Sequence, residues 1–255
     1  MASKIAAQMY TVRQACQTAE DMAQSLQRIA DIGYESVQLS GHGQEITPEQ
    51  IKAACDAAGV TICATHVPFE MMRDDLDGTV ALHQLYDCRY AGIGGAPRDA
   101  QESAETWSAF AREASEVAEA MAEHGLVFVY HNQSHELARF GDRTALQTLL
   151  EDGDPEYFMF EPDTYWLQHG GASPVAWLRL MGARAPVVHF KDMAMRGREQ
   201  LFAEIGEGNL DWPGILAACE EIGAEYYIVE QDTCQGDPFD SLKISFDNLK
   251  AMGVD

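Results

Sequence analysis

Histidines and carboxylates recur along this chain in short clusters, each at the tail of an apolar run. They are Thr65-His66, Tyr130-His131-Asn132 followed by His135-Glu136, Glu161-Pro162-Asp163, His189-Phe190-Lys191-Asp192 and Glu230-Gln231-Asp232. These side chains transfer protons near neutral pH and bind divalent cations. A lone histidine on an apolar run is usually satisfied by a neighbouring carbonyl, but five clusters brought to one place ask for another explanation. Carboxylates crowded together repel one another unless they are protonated or bridged by a cation, so a divalent metal is the simplest way to keep them ionised. Asp163, His189 and Glu230, each at the end of its own run, are the first choice of ligands. A mixed oxygen and nitrogen set suits Mn²⁺ or Mg²⁺, with Co²⁺ or Zn²⁺ also accommodated, and Mn²⁺ is preferred. The alternative is a metal-free carboxylate and histidine acid–base site.

The elements that must position these groups are legible in the hydrophobic pattern. Eight apolar runs span 5–10, 36–39, 60–65, 90–94, 126–131, 157–163, 186–190 and 226–230, and several are continuously apolar, as parallel strands buried on both faces are. Amphipathic stretches lie between them: DMAQSLQRIADIG ending at Gly33, TPEQIKAACDAAG opening at Thr47 and closing at Gly59, and a long pattern over roughly 102–125. The order "apolar helix, glycine, short strand" repeats in ADIGYESVQL, DAAGVTICAT, AEHGLVFVY and EEIGAEYYIV, which marks repeated βα units. Eight units in 255 residues predict a (β/α)8 TIM barrel forming one domain over 1–255, against a doubly wound open sheet as the rival. The only glycine cluster, GIGG at 92–95, lacks the G-x-G-x-x-G spacing of a dinucleotide site. In such a barrel the chemistry lies at the C-terminal ends of the strands, where the polar clusters fall.

A net charge of −24 repels phosphate backbones and anionic lipid, so neither nucleic acid nor a membrane surface is an expected partner. No run approaches the roughly 20 apolar residues of a membrane span. The six cysteines form no C-x-x-C pair, and the first residues carry no secretory signal, so a soluble, cytoplasmic protein with free thiols is expected. Self-association into a homo-oligomer is left open.

At the same residues the chain resembles the xylose-isomerase-like TIM barrel superfamily, the sugar phosphate isomerase/epimerase group. The likeness covers nearly its whole length: Q-M-Y-T-V-R near the start, Y-H-N-Q-S-H-E in the middle, then D-T-Y-W, V-H-F-K-D-M, I-G-E-G-N-L-D-W, V-E-Q-D and D-P-F-D-S-L-K-I-S-F-D-N-L-K. The resemblance implies a metal held by a carboxylate after strand five, an Asp after strand six, a His after strand seven and a Glu after strand eight. The last three match Asp163, His189 and Glu230. Strand five has no acid, so the expected fourth ligand is Glu136, in a stretch resembling Y-H-N-H-x-x-E with Gln133 in place of the second His; Glu161 is the next choice.

The implied chemistry is proton removal beside a metal-bound carbonyl of a small carbohydrate, with Glu230 and Glu136 as paired base and acid. His66, His131 and Lys191 would hydrogen-bond substrate oxygens or protonate a leaving group, and Tyr10, Tyr165 and Trp166 would form the walls. An isomerase or epimerase of a free or keto-sugar is the first expectation. A lyase or dehydratase acting on a keto-inositol, keto-sugar or 3-keto-glycoside is the second, and a non-catalytic binding barrel the third. Lys191-Asp192 reads as an ion pair that orients His189 or closes the rim, Trp107 as core, and Asp211-Trp212 as a helix start. His42 is either a substrate contact or a loop residue, and His83, His124 and His169 are structural.

Overall fold

The computed structural model describes residues 3–255. Eight strands follow the eight apolar runs: β1 (Ile5–Gln8), β2 (Ser36–Leu39), β3 (Thr61–His66), β4 (Tyr90–Ile93), β5 (Val127–His131), β6 (Met159–Glu161), β7 (Val187–Phe190) and β8 (Tyr226–Val229). All neighbours are parallel, in the order β6-β5-β4-β3-β2-β1-β8-β7. The circle closes between β6 and β7 through a single parallel bridge, Asp163 to His189, with the His189 amide donating to the Pro162 carbonyl at 2.9 Å. Thr164 reinforces the seam: its hydroxyl accepts from the Lys191 amide at 3.0 Å and donates to the Lys191 carbonyl at 2.8 Å. This is a (β/α)8 TIM barrel.

Helices between the strands begin and end where local chemistry satisfies their free backbone groups. Thr47 caps the helix Pro48–Ala58 reciprocally with Gln50, and Gly59 ends it at φ 73°, a left-handed conformation open to glycine. The long pattern over 102–125 becomes the helix Ala104–Ala122 behind an N-cap at Ser103, and Trp107 lies in the core as expected. Asp211 caps the helix Trp212–Ile222. Met9 and Tyr10 do not continue β1 but wind into a 3-10 turn, Met9–Ala15, whose first free amide, on Tyr10, is taken by the Gln8 side chain. Two short antiparallel hairpins, Arg139–Phe140 with Arg143–Thr144 and Asp192–Arg196 with Glu199–Ala203, stand outside the eight-unit pattern. All six cysteines are unpaired, and no helix is long and apolar enough to cross a membrane.

The barrel interior places the site by a period of two. Ala6, Ala64, Tyr90, Val129, Val187 and Ile228 form an apolar layer inside the barrel, with Met159 packed against it. Residues two positions on share the same strand face, and here they are Gln8, His66, Gly92, His131, His189, Glu230 and Glu161. Ser36 is followed in the same way by Gln38. One step along each strand thus converts a greasy plug into a polar ring. Gly92 is the exception that makes room: a Cβ there would stand 2.9 Å from the His66 ring and 2.8 Å from the Thr65 carbonyl oxygen.

Candidate active site at the C-terminal mouth

His189 is the centre of the polar ring, and its two nitrogens face different groups. Nε2 lies 2.6 Å from the Gln38 amide oxygen, which also accepts from Gln8 at 2.7 Å. The Gln38 amide nitrogen donates to Glu161 at 2.8 Å, and His66 Nε2 meets the other Glu161 oxygen at 2.5 Å. On the opposite edge, Nδ1 lies 3.0 Å from Glu230 and 3.7 Å from Asp163. His131 Nε2 approaches the same Asp163 oxygen at 3.3 Å.

Asp163 is held by the element it starts. Its Oδ1 accepts the Trp166 amide at 2.9 Å as N-cap of the helix Thr164–His169, which leaves Oδ2 for the site and points Trp166 towards it. Lys191 follows β7 and is completely buried; its ammonium lies 2.9 Å from Asp163, 2.6 Å from Glu230 and 2.8 Å from Asp232. Burial alone would raise the carboxyl pKa values here. Lys191, His131 and His189 outweigh it at Asp163, Lys191 and His189 outweigh it at Glu230, and His189 and His66 outweigh it at Glu161, so all three fall below the ordinary range. At Asp232 burial prevails and its pKa is raised. Burial pulls the imidazole of His189 down, but Glu161 and Glu230 lift it well above its usual value. These acids demand positive charge.

The donor set fits a divalent cation. One ligand atom each from His131, Asp163, His189 and Glu230 falls within 4.8 Å of the others, all four residues being buried. A second such group, His66, Glu161 and His189, shares the central imidazole. With Nε2–H directed at Gln38, the lone pair of Nδ1 faces Asp163 and Glu230, the tautomer fixed by an outer partner that metal-binding histidines usually show.

The expected residues divide accordingly. Asp163, His189 and Glu230 come together, and His131, expected to contact substrate, occupies the place assigned to Glu136. Glu136 is excluded from the cluster: its buried carboxylate accepts from the Tyr130 hydroxyl at 2.8 Å and the Gln133 amide at 3.0 Å, closing the loop after β5. It does not line the cavity at the mouth, about 230 Å³, whose walls include Tyr10, His66, Trp166, Lys191 and Glu230. Tyr165 is also displaced from its expected role as a wall. It is buried against Phe202 at 4.3 Å and meets Trp166 edge-on at 4.8 Å, so it backs the wall that Trp166 presents. Tyr10 is braced by Arg13, which stacks on its ring at 4.1 Å and donates to the Tyr10 and Asp232 carbonyls.

Lys191 and Asp192 do not pair, because adjacent residues of an extended chain point to opposite faces. Asp192 accepts from the amides of Gly206, Gly208 and Leu210 and, at 2.6 Å, from the Trp212 indole, anchoring the loop after the second hairpin. His42 contacts only its own loop, at the Gly43 carbonyl, and His83 is buried against Thr65. Gln8, Gln38 and Asp232 were visible as polar strand ends but had no assigned role; the period of two marks the two glutamines. Phe202 carried no sequence signal.

The family model for the xylose isomerase-like TIM barrel matches residues 26–252. Among solved structures, a sugar phosphate isomerase/epimerase from Parabacteroides distasonis superposes with a TM-score of 0.82 at 23% identity, covering 98% of this chain and 94% of that one. The probable 3-DHS dehydratase AsbF from Bacillus anthracis gives 0.75 at 14% identity over 97% and 98% of the two chains. An L-ribulose 3-epimerase gives 0.71 at 14% identity over 98% and 94%. These likenesses establish the fold. In sequence, the rhizopine catabolism protein MocC of Rhizobium meliloti is 27% identical over 170 residues, 59% of this chain, and the match spans about half, 51%, of that protein. With the family model spanning all but the first β-strand and the last few residues, the chain belongs to the xylose isomerase-like TIM barrel family.

Proposed function

We propose that the protein is a divalent-metal-dependent isomerase or epimerase of a sugar or keto-sugar, working by removal of a proton from the carbon beside a carbonyl. The observation that carries this reading is the buried group of His131, Asp163, His189 and Glu230 at the floor of a sugar-sized cavity. These four residues would hold the cation, with Mn²⁺ preferred for a mixed oxygen and nitrogen set. Bound there, the cation would supply Lewis-acid polarisation of the carbonyl and so acidify the neighbouring C–H.

The side chains divide the remaining work. Glu230 reaches the cavity from β8 and is kept ionised by Lys191 at 2.6 Å, so it is available to take the proton. His66 reaches the same cavity from β3, and Glu161, at 2.5 Å, orients its ring; this pair returns a proton and takes over the part first given to Glu136. Trp166 offers its face to the apolar side of a sugar ring, and Tyr10 closes the cavity and limits water. Return of the proton to the opposite face of the same carbon gives epimerisation. Return to the neighbouring carbon gives an aldose–ketose exchange.

The test is solvent-isotope wash-in. Protein loaded with Mn²⁺ and offered a panel of ketoses, aldoses and 3-keto sugars in D₂O should place deuterium on carbon without loss of water or aglycone, and a chelator should stop it. Exchange that persists after the chelator removes the metal, or an unsaturated ketone as product, would reject this reading, the second outcome in favour of a lyase.

A further inference from the structure

The Gly92-Ile93-Gly94-Gly95 turn after β4 takes no part in proton transfer or cation binding, yet it stands between two cavities. On one side is the cavity over the site, about 230 Å³; on the other is a chamber of about 370 Å³ lined by Glu70, Pro97, Arg98, Gln101 and His135 among others. Gly94 and Gln133 line both. The threshold is almost bare backbone: a Cβ on Gly94 would meet only the His66 imidazole, at 3.8 Å, and one on Gly95 would meet nothing within 4 Å.

We propose that the chamber is a second subsite and that the substrate has two parts. The ring bearing the carbonyl lies against Trp166, and a glycosidic substituent crosses Gly94 into the chamber. This rests on the sugar activity proposed above and narrows its substrate to a glycoside of disaccharide size. The first cavity alone is smaller than the roughly 300–1,000 Å³ of ordinary ligand sites, whereas the two together fall within that range.

The chemistry of the chamber indicates a neutral, hydroxyl-rich occupant. Arg98 and Glu70 are exposed and of opposite charge, and neither has an ion-pair partner among the described residues. With Gln101, Gln133 and His135 they offer donors and acceptors without the excess of positive charge a phosphate would need. The first cavity has no spare cation either, because Lys191 is committed to three carboxylates and Arg13 to backbone carbonyls.

Calorimetric binding to the Mn²⁺-loaded protein tests this with three probes: 3-keto-glucose, the 3-keto form of a glucose disaccharide, and glucose 6-phosphate. The disaccharide should bind at least about tenfold more tightly than the monosaccharide. Arg98→Ala, and Glu70→Trp, which narrows the chamber from an exposed position, should each weaken the disaccharide far more than the monosaccharide. Equal affinities that ignore both substitutions overturn the subsite while leaving the sugar activity standing, provided that monosaccharide binding is lost in Trp166→Ala. Tightest binding of glucose 6-phosphate, dependent on Arg98, also overturns it. Absence of any sugar binding, or binding indifferent to His189→Ala, overturns the activity and the subsite together.

Discussion

The two ring nitrogens of His189 face halves of the site that solve the same electrostatic problem differently. On the Nε2 side one buried acid, Glu161, is satisfied by two imidazoles and the Gln38 amide, which is itself held by Gln8. This half is a hydrogen-bond relay with defined directions and little excess charge. On the Nδ1 side three acids, Asp163, Glu230 and Asp232, share one ammonium. That half carries more negative charge than Lys191 neutralises, and it is the half in which His131 completes a four-donor group. The difference separates orientation from attraction: the relay aims His189, and the acid-rich half draws in a cation.

Substitutions can break the two halves apart. His189→Ala removes the part they share and should have the largest effect, lowering carbon-bound deuterium exchange by at least about 10³-fold, on the scale of losing a major electrostatic stabiliser. Metal analysis should find the cation lost while circular dichroism keeps the barrel signal; retained exchange would show that the ring is not central. Lys191→Met leaves three buried acids without their counter-charge and should cost about 3–5 kcal/mol in metal-free protein. Thermal melts should recover much of that loss when Mn²⁺ is added, and identical melting of the variant and parent with chelator would contradict the charge imbalance.

Gln38→Leu cuts the relay and leaves the acid-rich half intact. Its expected cost is about 10–100-fold in metal affinity, the usual effect of removing a partner that orients a ligand, measured by competition with a chromogenic chelator. An unchanged affinity would mean that packing alone aims His189. Glu136→Gln should be the mildest. It weakens a buried charged hydrogen bond from Tyr130, about 1 kcal/mol of stability, and leaves metal affinity where it was. A tenfold fall in affinity would return Glu136 to the ligand set.

The eight strands and three of the four clustered donors were legible because both follow from periodicity. Continuous apolar runs mark strands buried on both faces, and the inward positions one step further on must be polar where the barrel opens. What the sequence did not disclose depends on where loops carry a side chain after the strand has ended. Glu136 is only five residues beyond His131, but a 3-10 turn, His135–Leu137, directs its carboxylate back under Tyr130. Tyr165 and Trp166 are adjacent and looked interchangeable as walls. The hairpin Asp192–Ala203 separates them by laying Phe202 over Tyr165, and its alternation is too short and too exposed to read as strands. The pairing of Lys191 with Asp192 failed on simple stereochemistry, because neighbours along an extended backbone diverge.

Seven of the eight joints between strands are laced by three or four paired residues, and the eighth, between β6 and β7, by one. The two residues of that last stitch, Asp163 and His189, are also the ones whose side chains converge on the acid-rich half. Anything that draws those side chains together tightens the hoop, and any slackening of the hoop spreads them. Occupancy of the mouth and closure of the circle are therefore a single equilibrium, and the place where this barrel is most thinly sewn is the place where its chemistry is gathered.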